Sequence, residues 1–172
     1  KALDWLLARQ RDDGYLGERA NMMYSHAIAT IALCEAYGLT RDRRLRQPAE
    51  RAIAYTLKAQ SKSRGGWRYA PGEDSDTSIT GWQDMALHSA RMAGLKVPDE
   101  PFEKVRGWLE RIGGGRHGGL YGYQAPGGSS PAMVATGMFC RQLDLVSPDN
   151  PMMAESARHL KMRPMDVDDT DY

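Results

Sequence analysis

Apolar residues recur along this chain at three- and four-residue spacing, in two alternating kinds of segment. In the first kind, Ala52, Ile53 and Leu57, and again Phe102, Val105, Leu109 and Ile112, stand among Arg, Lys and Glu. That spacing gives a helix with one apolar stripe and one solvated face. The second kind runs roughly over 22–37, 77–93 and 131–145. It is rich in Ala, Met, Ile and Thr and poor in charge, as expected of a helix buried on most sides. Gly38 and Gly94 stand where a left-handed C-cap would close the first two of these. No period-two alternation of useful length appears, so the expected class is all-α.

The two kinds of segment alternate because the chain repeats. ALDWLLARQRDDGYLG starts at Ala2, AIAYTLKAQSKSRGGW at Ala52 and KVRGWLERIGGGRHGGLYGY at Lys104. Trp5, Tyr55 and Trp108 hold one position, 50 and then 53 residues apart. Gln10 and Gln60 follow five residues later, and Gly113 replaces Gln in the third copy. Glycine and a large residue come next, as Gly14-Tyr15, Gly66-Trp67 and Gly119-Leu120. A fourth unit opens at Asn150-Pro151, a suitable N-cap and first helical residue. Its outer helix is expected over about 152–161, and RPMDVDDTDY follows. Each unit pairs an amphipathic outer helix with a more buried inner one. Such pairs bury both faces only by stacking on neighbours. The expectation is therefore a partial α/α toroid of three to four helical hairpins, about 50 residues each. It forms a single domain over 1–172, cut from a longer protein. In each unit, glycine permits the sharp turn and the Gln amide satisfies carbonyls at the outer helix's end. Trp5, Tyr55, Trp67, Trp82 and Trp108 are expected in the core.

The stretches ALDWLLARQRDDGYLG, GGWRYAPGEDSDTSITGWQDMAL and GGLYGYQAPGG resemble the repeats of the terpenoid cyclase and protein prenyltransferase superfamily. They look closest to those of bacterial proteins with prenyltransferase/squalene-oxidase-type repeats. The resemblance covers nearly the whole chain. It implies the α/α-toroid scaffold more specifically than any one activity, since fold does not fix chemistry. It also implies cavities near the starts of inner helices.

Charge and composition narrow the partners. Lys plus Arg number 23 and Asp plus Glu 22, a balance without the basic excess of a nucleic-acid-binding face. Arg41, Arg43, Arg44, Arg46 and Arg51, interrupted by Asp42 and Glu50, read as a solvated connector or as an anion- or partner-binding patch. No apolar run reaches the length of a membrane span. Cys34 and Cys140 lie on apolar helical stretches and read as small core residues.

Candidate chemistry centres on carboxylates. Asp74, Asp76 and Thr77 open the second inner helix, and Asp166, Asp168 and Asp169 sit where a fourth would open. Asp166-Val167-Asp168-Asp169-Thr170 matches the DxDDT motif of class II terpene cyclases. That resemblance implies Asp168 as the acid that protonates an alkene or epoxide. Such an acid stays protonated only in a buried site with flanking carboxylates. The same residues also suit N-caps and first-turn acids. Asp76 and Asp168 could alternatively form a glycan-cleaving carboxylate pair, which requires a separation of about 5–10 Å. Asp84, Cys140, His26 and His88 are metal-ligand types, but none stands at ligand spacing, and no motif implies a cofactor. The glycine-rich run from Gly113 to Gly128 lacks the Gly-Lys-Ser/Thr ending of a phosphate loop. The leading expectation is a binding module. It would take a small molecule, glycan or peptide in its concave face, near His26, Asp74, Asp76, Thr77 and Trp82. A terpene-cyclase-like enzyme is the alternative.

Overall fold

The computed structural model describes residues 1–18 and 22–162. Asp166, Asp168 and Asp169 therefore lie outside the described residues. The described chain is mostly helical: α1 (Ala2–Arg9), α2 (Met23–Thr40), α3 (Arg43–Ala59), α4 (Thr77–Met92), α5 (Glu100–Ile112), α6 (Pro131–Leu143) and α7 (Pro151–Met162). Two-residue strands β1 (Gly113–Gly114) and β2 (Leu120–Tyr121) pair antiparallel, Gly113 opposite Tyr121. They are too short to leave a period-two signal in the sequence. The chain divides into two compact units, 1–108 and 109–172.

In the first unit, α2 and α4 pack on one another and on α3. Met23, Ala27, Leu33 and Cys34 of α2 meet a core that includes Ala49, Ala52 and Ile53 of α3 and Ile79, Ala86 and Leu87 of α4, all buried. The arginine-rich stretch at 41–51 is not a connector. From Arg43 it forms the first turns of α3, with Leu45 and Ala49 buried, Arg43, Arg44 and Arg46 exposed, and half-buried Arg51 donating to Gln10 Oε1 at 2.7 Å. Asp42 starts the helix, its carboxylate accepting the Arg44 N–H at 2.9 Å.

Helix α2 runs through Gly38 to Thr40 instead of stopping there. Gly38 instead marks a close approach: a Cβ on it would lie 3.2 Å from the Ala93 Cβ. The helix stops at Arg41, held at φ 55°. After α4 the expected cap is found. Gly94 takes φ 80°, and its N–H and that of Leu95 return to the Arg91 and Ala90 carbonyls at 2.9 Å each, the paired bonds of a Schellman turn.

The repeat has a physical counterpart in two matching glutamine stitches. Gln10 Nε2 donates to the Gly14 carbonyl at 3.1 Å and to the Pro48 carbonyl at 2.8 Å. Gln60 Nε2 donates to the Gly65 carbonyl at 2.8 Å and to the Pro101 carbonyl at 3.0 Å. Each amide thus ties its own glycine turn to the next outer helix. The glycines are equivalent too. Gly14 (φ 93°) and Gly65 (φ 83°) press on the Arg51 and Lys104 carbonyls, where a Cβ would come within 2.2 and 2.7 Å.

These stitches shift the register read from sequence. The second turn holds one extra residue between Gln and Gly. Arg11 N–H bonds the Tyr15 carbonyl, while Ser61 N–H bonds that of Gly66. Trp67 is therefore the counterpart of Leu16, not of Tyr15.

Tryptophan burial is uneven. Trp67 and Trp108 are fully buried. Trp5 is 45% exposed on α1, a helix with no buried residue, and the Arg9 guanidinium covers its ring at 3.9 Å. Trp82 is 37% exposed because it leaves α4 between the buried positions Gly81 and Gln83.

In the second unit, α6 packs on α7 and on β2. Gly137 on α6 lies directly against the Tyr121 ring, where a Cβ would fall 2.3 Å from it. Ser130 caps α6 and Asn150 caps α7 through side-chain acceptors. Leu145, after α6, takes φ 60° where glycine would be usual.

Candidate functional site

The starts of α2 and α4 come together in the first unit. Three residues after Trp67's glycine turn, the chain crosses the first turn of α2, and the Met23 N–H donates to the Tyr69 carbonyl at 3.2 Å. Trp67 and Asp76 then form a backbone bridge, with the Asp76 N–H on the Trp67 carbonyl at 2.9 Å. That bridge sets Asp76 at the head of α4.

Asp76 is the N-cap of α4. Its Oδ1 accepts the Ile79 N–H at 2.8 Å, its Oδ2 lies 3.9 Å from Arg68 Nε, and the residue is fully buried. Thr77 is the first residue of the helix and is also buried. Asp74 lies further out, accepting the Ser75 N–H at 2.8 Å and pairing with Arg64 Nε at 3.1 Å. The local sequence Asp74-Ser75-Asp76-Thr77 is thus a capping device. Side-chain oxygens satisfy the amides that a helix start leaves open.

His26 sits beneath this mouth, not in it. It is fully buried, and both ring nitrogens are used. Nδ1 accepts the Leu16 N–H at 3.1 Å, and Nε2 lies 3.1 Å from Thr56 Oγ1. The Thr56 hydroxyl donates to Gln83 Oε1 at 3.1 Å, and Gln83 Nε2 donates to the Met23 carbonyl at 2.8 Å. With Nδ1 accepting, the ring is neutral and its proton is on Nε2. The chain of donors then runs one way, from α2 through α3 and α4 and back to α2. Trp67 joins it, its indole N–H on the Thr56 carbonyl at 2.8 Å. Burial lowers the His26 pKa to about 4, against a smaller upward pull from the Ala52 carbonyl and Asp13. In the second hairpin Thr80 stands where His26 stands in the first, fourth in its helix. Its Oγ1 accepts the Trp67 N–H at 3.0 Å.

The residues that do face outward at this mouth are Tyr24, Arg68 and Tyr69. The two phenol rings lie 6.2 Å apart between centroids, and the Arg68 guanidinium sits 5.9 Å from the Tyr69 ring. Tyr69 is 45% exposed and Tyr24 half-buried. Burial, with help from nearby Asp76 and Tyr69, raises the Tyr24 pKa. Its phenol is therefore a hydrogen-bond donor at neutral pH. The sequence carried a signal for this trio. Arg68-Tyr69 directly follows the Gly-Gly-Trp turn, and Tyr24 is second in its inner helix, a position facing the mouth. Burial propensity drew attention to the tryptophans and carboxylates instead.

Two flat rings beside a guanidinium suit binding more than bond-breaking. Elsewhere on α4, Asp84 Oδ1 and His88 Nε2 approach to 3.8 Å, and His88 packs edge-on against Phe102 at 4.6 Å. Among the described residues no three His, Cys, Asp or Glu side chains gather in a way that could hold a metal ion. Both cysteines are buried, and burial raises the Cys34 thiol to about 12, so it stays a thiol at neutral pH. No helix among the described residues is long and apolar enough to cross a membrane. Compared with known protein families and with curated proteins, the chain matches none.

Proposed function

We propose that this chain is an α/α-hairpin repeat module of the kind that builds α/α toroids. Its proposed role is to bind a glycan or a peptide at the starts of its inner helices. The observation that carries this reading is the Tyr24–Tyr69 pair with Arg68 beside it, held at the head of α2 by the Met23–Tyr69 backbone bond. The rings offer stacking surface for a sugar face or an apolar side chain, and Arg68 offers donors to hydroxyl, carbonyl or carboxylate oxygens. Asp76 supports the site from behind, fixing the helix start and lying near the Arg68 Nε. The general-acid reading of Asp168, and its pairing with Asp76 on a glycan, rest on a residue outside the described part. Asp76 itself is engaged as a cap.

The test is titration of the full chain with neutral oligosaccharides and with short peptides, followed by intrinsic fluorescence and NMR. Removing an aromatic anchor of this kind weakens binding by about 1–3 kcal/mol, about fivefold to about 150-fold. Tyr69→Ala should do so without lowering the melting temperature. A ligand that binds Tyr69→Ala and Arg68→Ala as tightly as the parent would place the site elsewhere and remove the reading.

A further inference from the structure

The second unit holds a different device. Glu155 on α7 reaches the loop between β1 and β2. Its Oε1 accepts the Arg116 N–H at 2.7 Å, and its Oε2 accepts the His117 and Gly119 N–H groups at 2.9 Å each. Burial pushes this carboxyl up, but the three amides together outweigh it and hold its pKa below the usual range. Ser156 adds a bond from its hydroxyl to the Gly119 carbonyl at 2.7 Å. The loop allows this approach only because of its glycines. Gly115 takes φ 81°, and a Cβ there would lie 2.8 Å from the Glu155 carboxylate.

The backbone amides that a phosphate loop would offer are thus already filled by an internal carboxylate. The side chains of the same loop are not used in that way. Arg116 and His117 line a hollow of about 260 Å³ together with Arg158 and His159 of α7, and Glu155, Leu120 and Met162 line it too. Arg158 and His159 follow Glu155 by three and four residues, which puts all three on one face of the helix. His159 Nε2 is buried and has no hydrogen-bond partner among the described residues. One carboxylate, consumed by amides, faces two guanidinium groups and two imidazoles. Two guanidinium groups lining one small concavity suit a doubly charged oxyanion.

We propose that this hollow is a binding site for a phosphomonoester. Arg116 and Arg158 hold the phosphate, and His117 and His159 donate to its remaining oxygens. The hollow is smaller than a typical drug-sized pocket, so it takes the phosphate and a few attached atoms, with the rest of the ligand outside. The site lies wholly within the second unit and does not depend on the glycan or peptide reading.

The test uses the full chain, with inorganic phosphate and phosphoserine as probes and chloride added to hold ionic strength constant. Saturable heats by calorimetry are expected, with shifts of the His117 and His159 ring signals by NMR. Phosphoserine should bind at least as well as inorganic phosphate. Arg116→Gln and Arg158→Gln change exposed side chains and leave the Glu155 clamp in place, and each should weaken binding about tenfold. Three results would overturn the proposal. These are no saturable response to either probe, the same response to chloride alone, or a double variant that binds phosphate as the parent does.

Discussion

His26 offers the sharpest test of the first unit, because its network works in only one protonation state. Lowering the pH is the perturbation. The imidazole has a pKa of about 4 in the fold against 6.5 for the free side chain. Between those values the unfolded chain binds a proton that the folded chain refuses. Stability from this group is therefore fully present above 6.5 and is lost as pH falls from 6.5 through 4. At about 1.4 kcal/mol per pKa unit, the whole shift is worth about 3 kcal/mol, and roughly 2–3 kcal/mol is gone by about pH 4.5. The cause is geometric. A second ring proton would face the Leu16 N–H, which now donates to Nδ1 at 3.1 Å. Chemical denaturation at a series of pH values measures the loss. His26→Gln supplies the baseline, since it cannot titrate, and both proteins share the losses from Asp42, Glu100 and Glu155, whose carboxyls are held low. The parent should lose about 2–3 kcal/mol more than the variant between about pH 7 and about pH 4.5. Equal pH slopes in the two proteins, or a His26 ring that titrates near 6.5 by NMR, would refute the reasoning.

Other positions give further checks by denaturation. Gln60→Ala strips the buried Gly65 and Pro101 carbonyls of their donor and should destabilise by about 1–3 kcal/mol; an unchanged midpoint would show the stitch to be dispensable. Gly137→Ala forces a Cβ onto the Tyr121 ring and should destabilise by about 1–3 kcal/mol through overpacking. Leu145→Gly should do the opposite. Leu145 is 91% exposed at φ 60°, and relief of the left-handed conformation should stabilise by about 1 kcal/mol, visible as a higher melting temperature.

Much of the helical frame was legible because period and punctuation agreed. The stripe Phe102, Val105, Leu109 and Ile112 is buried throughout, and Gly94 and Asn150 close and open helices where expected. The misreadings share one physical origin. Glycine has two uses, a left-handed turn and a close approach, and sequence shows only the residue. At Gly94 the first use applies. At Gly38 the second applies, against Ala93, and the helix runs on. Charge misled in the same way at 41–51. Arginines on the outer face of an amphipathic helix look like a solvated connector until Leu45 and Ala49 are seen to be buried.

The same limit governs the candidate site. Asp76 and Thr77 were visible as residues able to cap or to bind; Asp76 is the buried N-cap of α4 and Thr77 its buried first residue. His26 was expected near a ligand in the concave face and is of a metal-ligand type. Only the three-dimensional closure through Thr56 and Gln83 gives both of its nitrogens partners. What is left at the mouth, half-buried Tyr24 and Arg68 and exposed Tyr69, belongs to two segments more than forty residues apart in sequence. They meet because the glycine turn before Trp67 returns the chain across the neighbouring helix start, where the Met23 N–H bonds the Tyr69 carbonyl. In this repeat the buried polar residues set the register of the hairpins. The residues left for recognition are therefore the ones that register pushes outward. A change such as Gln83→Leu, which breaks the register without touching the mouth, should then weaken stability and ligand binding together, whereas Tyr69→Ala should weaken binding alone. If Gln83→Leu left binding intact while lowering stability by the about 1–3 kcal/mol expected for a buried unsatisfied partner, the network and the mouth would be independent.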